Sequence, residues 1–232
     1  GRKLIVFQNR RYDGDYLTLR QLIASGVLGT IYEFTSHWQL YRPRLRGVWR
    51  ESPDEMGGML YDLGPHLIDQ TIQLFGKPES VYAQLGTHRP QNQVDDMFRI
   101  HLHYASGLDA VLTTDFMAPL PRARFHVQGT NGAYEKFGVD PQEAALRAGQ
   151  APGGADWGIE AEAAWGRLYV EDFGGVSYDG KVKTLPGDYR RFYETVRDSD
   201  ASPTAADDIV LQMAIIEASL ISARTNTVQL LP

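Results

Sequence analysis

The chain has 232 residues, enough for one large domain with a core that needs no disulfide or metal to hold it, and its 43% hydrophobic and 22% charged residues are ordinary for a globular protein. A net charge of −6 removes the electrostatic case for nucleic-acid binding, and the absence of cysteine excludes a disulfide scaffold, zinc–cysteine sites and a thiol nucleophile. No apolar run reaches the length of a membrane span and no signal peptide opens the chain, so no membrane partner and a cytoplasmic location are expected.

Lys3 to Gln8 reads as a strand that starts with no lead-in. Gly1 reads as a cloning remnant, and the chain as a piece of a longer one. After Asn9-Arg10-Arg11-Tyr12, Asp13 is placed to cap a helix marked by Tyr16, Leu19, Leu22 and Ile23 and ended by Gly26. Tyr32, Phe34, Trp38 and Leu40 then alternate with Glu33, Thr35, His37 and Gln39, a strand with one buried face. The segment from Tyr41 to Arg50 is basic, aromatic and broken by Pro43 and Gly47, so it is a loop. Cations and aromatic rings together bind hydroxylated or anionic small molecules, which makes Tyr41, Arg42 and Trp49 candidate substrate contacts; a solvated surface loop is the plain alternative.

That loop runs into Gly57-Gly58-Met59-Leu60-Tyr61-Asp62-Leu63-Gly64-Pro65-His66-Leu67-Ile68-Asp69-Gln70, the stretch richest in chemistry. Pro65 suits the first turn of a helix, and Leu67, Ile68, Thr71, Ile72, Leu74 and Phe75 follow at helical spacing until Gly76. Asp62 and His66 are four apart and stack on one side if the first turn is helical. A carboxylate and an imidazole at an open helix end, beside a Gly-Gly backbone that lets a ligand approach, are equipment for proton transfer. The competing readings are an Asp cap with a structural His, and a metal set of Asp62, His66 and Asp69. Nothing nearby supplies a clear further ligand, so no metal is expected there.

From Ser80 the pattern turns to antiparallel strands: Val81 to Leu85, Met97 to Tyr104, Leu108 to Phe116, then Arg122 to Gln128 joined through Gly129-Thr130-Asn131-Gly132 to Ala133–Phe137. His101, His103 and His126 could share a sheet face, enough for a metal. Arg99 and Arg124 on that same face argue instead for a wet surface or one pressed on a second subunit, because a cation beside two arginines is repelled. Residues 140 to 166 read as an insertion or lid with a short helix after Asp140-Pro141-Gln142-Glu143, anchored by Trp157 and Trp165. Short strands are expected from Leu168 to Leu185 around Gly174-Gly175 and Asp179-Gly180, and a helix around Tyr189–Val196. A last helix is expected behind a Thr204/Asp207 capping pair, then a final strand at Val228–Leu231.

The chain contains no strand–G-x-G-x-x-G–helix unit, P-loop, G-x-S-x-G or H-E-x-x-H. The run Gly57-Gly58-x-x-x-Asp62-x-Gly64-x-His66-x-x-Asp69, preceded by Phe7-Gln8-Asn9-Arg10-Arg11-Tyr12-Asp13, resembles the second domain of the Gfo/Idh/MocA oxidoreductases. Gly129-Thr-Asn-Gly-Ala-Tyr-Glu-Lys136, Pro141-Gln142-Glu143 and Asp156-Trp157-Gly158 resemble the NADP-dependent scyllo-inositol dehydrogenase branch. The resemblance covers essentially the whole chain. It implies an α+β fold: an open, mainly antiparallel sheet with helices on one face and the other face free for subunit contact. It also implies that residues 1–232 are a single C-terminal substrate-binding and dimerisation domain. An N-terminal Rossmann domain, with a catalytic lysine in a Glu-Lys-Pro segment, is absent from this chain.

Carried over by position, His66 matches the family's general base and Asp62 its catalytic aspartate, while Arg10 and Asn9 match positions lining a sugar pocket. The resemblance thus implies a full-length oxidoreductase moving hydride between NADP or NAD and a secondary alcohol or ketone of a sugar or cyclitol, as a homo-oligomer. The cofactor would be bound mainly by the missing domain; no cofactor-binding residue is assigned here, and this chain alone is expected to be inactive. Two other classes stand beside this reading: a non-catalytic binding or oligomerisation module, against which the intact Asp62/His66 pair argues, and a metal-binding sheet protein.

Overall fold

In the computed structural model, which describes residues 4–171, 177–198 and 202–232, helices and strands follow the periodicities in the sequence. In chain order they are α1 (Gly14–Ala24), β1 (Ile31–Gln39), α2 (Met59–Asp62), α3 (Gly64–Phe75), β2 (Ser80–Gly86), β3 (Met97–His103), β4 (Asp109–Asp115), β5 (Phe125–Gly129), β6 (Gly132–Lys136), α4 (Gln142–Arg147), β7 (Gly166–Glu171), β8 (Ser177–Val182), α5 (Tyr189–Asp198), α6 (Ala206–Thr225) and β9 (Gln229–Leu230). The strands are open-sheet, mostly antiparallel partners, which makes the class α+β. Gly174-Gly175, around which short strands are expected, lie outside the described residues. The chain divides into two units, one of residues 1–31 and 126–209 and the other of residues 32–125 and 210–232.

In the second unit the strand order is β1-β4-β3-β2-β9. β2, β3 and β4 form the expected meander, with Ile100 opposite Ala83 on one side and Leu112 on the other. β1 is parallel to β4, with Phe34 opposite Ala110 and Trp38 opposite Thr114. Phe98, Ile100 and Leu102 are fully buried, while Arg99, His101 and His103 between them are not, so the alternation divides a core face from a polar face. α3 buries Leu67, Ile68 and Ile72, and its Phe75 ring meets Phe34 edge-on at 5.1 Å. The Gln212 side chain of α6 donates to Asp69 of α3 at 2.5 Å, and Ser222 Oγ accepts the Ala83 N–H of β2 at 2.9 Å.

Arg124 departs from its predicted place on the polar face. The chain bends at Arg124, just before β5 begins, and this turns the side chain inward; it is 1% exposed. It donates to Ser36 Oγ at 2.5 Å and to Gln70 Oε1 at 2.6 Å, with its guanidinium against the Trp38 and Phe125 rings at 5.0 and 4.1 Å. Aromatic faces and fixed acceptors replace the water that an arginine otherwise requires.

In the first unit the order is β8-β7-β6-β5, with α1, α4 and α5. Residues 4–8 are not a strand: Gln8 N donates back to Val6 O at 3.0 Å, and the Thr204 hydroxyl donates to the same carbonyl. Thr204 is thereby tied to Val6, and α6 starts two residues later without it as a cap. Asp13 precedes α1 as expected but does not cap it. Its carboxylate accepts from Tyr189 Oη at 2.7 Å and faces Arg10, and Asp140 Oδ2 takes the Gly14 N–H at 2.7 Å instead. The short helix after Asp140 is α4. Trp157 Nε1 donates to Gln142 Oε1, whose side chain also binds Tyr12 O and Tyr189 N, so this tryptophan anchors its segment through Gln142.

Candidate active site

Asp62 and His66 lie either side of a junction between two helical pieces. α2 ends at Asp62, Leu63 keeps right-handed helical angles, and α3 begins at Gly64 with Pro65 in its first turn. Leu63 N donates to Met59 O and Leu67 N to Leu63 O, so the helical ladder continues across the junction. Pro65 has no N–H to give Tyr61, which explains the break. Asp62 and His66 therefore stand one turn apart, both partly exposed, at the head of a helix whose next six residues, Leu67 to Ile72, are all buried.

The glycines before them serve packing. Gly58 has φ of 109°, and a Cβ there would lie 2.2 Å from Asp95 Oδ1. A Cβ on Gly57 would lie 2.5 Å from Ser52 O and 2.7 Å from Arg50 O. That space is filled by protein, which corrects the expectation of a backbone open to ligand. Asp95 accepts from Leu60 N at 2.7 Å and its carbonyl accepts from Met59 N at 3.0 Å, so it holds the start of α2. Burial, against those hydrogen bonds, pushes its carboxyl above the usual range.

The 41–50 loop ends in a 3₁₀ turn, Trp49–Glu51. Tyr41 is 57% exposed and bridges Met117, Arg42 lies over the Phe116 ring at 5.2 Å, and Trp49 is half exposed beneath the Arg50 guanidinium at 4.6 Å. Arg50 Nε donates to Asp62 Oδ1 at 2.7 Å, so loop and helix junction meet at the predicted carboxylate. Glu51 faces inward. Its Oε2 accepts from Arg46 N and Gly47 N, and its Oε1 from Arg89 Nη1 at 2.8 Å. Arg89, 2% exposed at its side chain, also donates through Nε to Asp96, which takes the His88 and Arg89 N–H groups and Asn92 as well. Burial alone would raise Glu51 and Asp96, but these donors outweigh it and hold both carboxyls below their usual range.

Asn9 and Arg10 belong to the other unit and are both buried. Arg10 Nη2 donates to Glu143 Oε2 at 2.5 Å, and Nη1 reaches Asp13 Oδ2 at 3.4 Å. Burial works against its charge, and Asp13, Tyr189 and Glu143 more than compensate, raising its pKa. Asp69, the third member of the metal alternative, is 1% exposed and bonded to Gln212 in the interior, whereas Asp62 and His66 are partly exposed. His103 faces Asp109 at 3.9 Å and His126 faces Glu135 at 3.6 Å. Among the described residues no three His, Asp or Glu side chains group closely enough to hold a metal ion. Gly57-Gly58 is packed solid, so it is no phosphate cradle.

Arg50, Glu51, Arg89, Asp95 and Asp96 escaped sequence reasoning. Trp49-Arg50, at the end of the basic loop that leads to the glycines, was a signal for the first. Glu51 and Arg89 pair across 38 positions and Asp95 reaches Leu60 across 35, which no local pattern reveals, and Asp96 joins them through Arg89.

Residues 16–135 match the family model described as GFO/IDH/MocA C-terminal domain, more than half of the chain. The oxidoreductase YdgJ of Escherichia coli is 38% identical over 229 residues, covering 97% of this chain and 65% of that protein. The scyllo-inositol 2-dehydrogenase (NADP(+)) IolW of Bacillus subtilis is 35% identical over 228 residues, covering 95% of this chain and 62% of IolW. The solved structure of YPO2259 from Yersinia pestis matches with a TM-score of 0.90 at 41% identity, over 99% of this chain and 64% of that one. The chain thus spans a little under two-thirds of the length of these relatives. Its nine-strand architecture, its Asp62-to-His66 segment inside the matched region and its relatives agree: the chain belongs to the GFO/IDH/MocA family, as a C-terminal domain.

Proposed function

We propose that this chain is the substrate-handling part of an NAD(P)-dependent oxidoreductase that interconverts a secondary alcohol of a sugar or cyclitol with its ketone. The observation that carries the reading is the pairing of Asp62 and His66 on successive turns, both partly exposed, at the head of a helix whose next six residues are buried. The nicotinamide, held by a domain outside this chain, supplies the acceptor for the hydride leaving the alcohol carbon. His66 takes the hydroxyl proton through a ring nitrogen as the carbonyl forms. Asp62 orients the hydroxyl and balances the imidazolium, one turn away along the helix. Tyr41, Arg42 and Trp49 face the ring; Asn9 and Arg10, in the other unit, are assigned to substrate binding from the family resemblance. IolW, whose name states scyllo-inositol and NADP(+), makes scyllo-inositol the first substrate to try. The polar face of β2, β3 and β4 is the surface for pairing with a second copy.

The test is made on the full-length protein, with NADP⁺ or NAD⁺ and scyllo-inositol or another polyol, followed by the absorbance of the reduced nicotinamide. His66→Ala is expected to lower kcat by about 10²–10⁴-fold, the range for loss of a positioned general base. An unchanged kcat removes His66 from the mechanism.

A further inference from the structure

Arg50 holds the predicted catalytic carboxylate with only part of its guanidinium. Nε donates to Asp62 Oδ1 at 2.7 Å, and this is the one hydrogen bond the Arg50 side chain makes among the described residues. Its two Nη groups are thus unspent on a side chain that is 45% exposed, beside an Asp62 side chain that is 21% exposed. Asp62 Oδ2 likewise has no partner among the described residues. An arginine on a mobile surface arm would carry little information, but this one is fixed from three sides. Its guanidinium lies on the Trp49 ring at 4.6 Å. Its backbone carbonyl accepts the Gly58 N–H at 2.8 Å. Its neighbour Glu51 is locked to the buried Arg89, which is itself locked to Asp96. The loop is therefore built to present one planar fork at a set place and angle next to Asp62.

We propose that Arg50 is a substrate-contacting residue that selects for an oxygen on the carbon adjacent to the reacting one, that is, for vicinal polyols. This rests on the assignment of Asp62 and His66 made above. With Asp62 engaging the reacting hydroxyl through Oδ2, the neighbouring Nη groups are the donors closest at hand for the next oxygen around the ring. A vicinal hydroxyl accepts from a charged donor, and a ring lacking it leaves that donor without its partner, the situation in which a polar site discriminates most strongly. Glu51, Arg89 and Asp96 act through Arg50 as positioning residues.

The experiment uses the full-length enzyme with its nicotinamide cofactor. Its probes are trans-1,2-cyclohexanediol and cyclohexanol, which differ by a single adjacent hydroxyl, each measured as a competitor of scyllo-inositol turnover and by titration calorimetry. The wild type is expected to bind the diol more tightly, and Arg50→Ala to shrink that preference by roughly ten- to a hundredfold. Arg50→Lys keeps the charge but offers one ammonium to either Asp62 or the ligand, so it should restore binding only in part. Thermal unfolding of both variants should match the wild type, as expected for a half-exposed side chain. Equal weakening of both probes in Arg50→Ala, or a wild type that binds the two rings alike, overturns the inference while leaving the Asp62–His66 assignment in place. Absence of wild-type turnover on every polyol, or a His66→Ala enzyme as fast as wild type, removes that assignment and this inference with it.

Discussion

Arg124 shows how much a single inward residue can carry. It sits under a sheet with two aromatic rings and two neutral acceptors around its charge, and it joins β1 to α3 through Ser36 and Gln70. Arg124→Met keeps the aliphatic stem and removes both donors. Hydrogen bonds to a charged group are worth about 1.5–3 kcal/mol each, and the acceptors left behind are buried, so the loss should be roughly 3 kcal/mol. Urea unfolding is the check, and a change under about 1 kcal/mol would mean that water takes over both acceptors. Nothing in the alternation of Arg122, Arg124 and His126 signals this burial. The strand pattern was legible, but the bend that delays its start to Phe125 was not, because Arg124 is held there by partners on β1 and α3. Asp62 and His66 were legible because their spacing and their chemistry lie within one helical turn.

At the level of elements, the helix junction depends on Gly58. Its φ of 109° lies where side chains rarely go, and its missing Cβ is where Asp95 reaches over to cap Leu60. Gly58→Ala meets backbone strain of about 1–3 kcal/mol and a displaced cap of about 1 kcal/mol more. The full-length protein carrying it should lose a few kcal/mol of stability on denaturation and, because α2 ends at Asp62, should lose kcat even at temperatures where it is folded. Gly107→Ala is the control: it has φ of 84° with nothing within 4 Å, so it adds strain without the collision and should leave kcat alone. The Gly-Gly pair was visible in the sequence. Its purpose was not, since Asp95 lies 35 positions from the Leu60 it caps.

At the level of the whole molecule, the unit containing α1 and α4 gathers acids in its interior. Asp13, Asp15 and Asp140 are 0%, 0% and 5% exposed, and Arg10 is the cation bonded to Asp13. Burial first, then the charge of Asp15, pushes the Asp140 carboxyl up to about 6, and burial and the same neighbours push Asp13 up as well. An acid raised in the folded state keeps a proton that the unfolded chain has already lost. Its contribution is therefore fully present below about pH 4 and fades as pH rises through about 6. For Asp140 the loss is roughly 3 kcal/mol at 1.36 kcal/mol per unit. Asp140→Asn, which cannot ionise, should gain stability relative to wild type as urea unfolding is repeated from pH 4 to pH 7. A difference that stays constant across that range would show that Asp140 is not the titrating group. The charge pattern of the sequence put Asp13 at a helix start, where acids are common, and only the fold reveals that it faces two more.

The parallel pairing of β1 with β4 sets an order of assembly. Glu33 must find Asp109, whereas β2 and β3 are joined by residues 87–96 and β3 and β4 by residues 104–108. Closing so long a ring carries an entropic penalty that local hairpins escape, so the meander condenses early and β1 docks on it late. The loop bearing Trp49 and Arg50 hangs directly from the end of β1. A half-assembled molecule therefore has a hydrophobic nucleus before the Trp49–Arg50 loop is seated against Asp62.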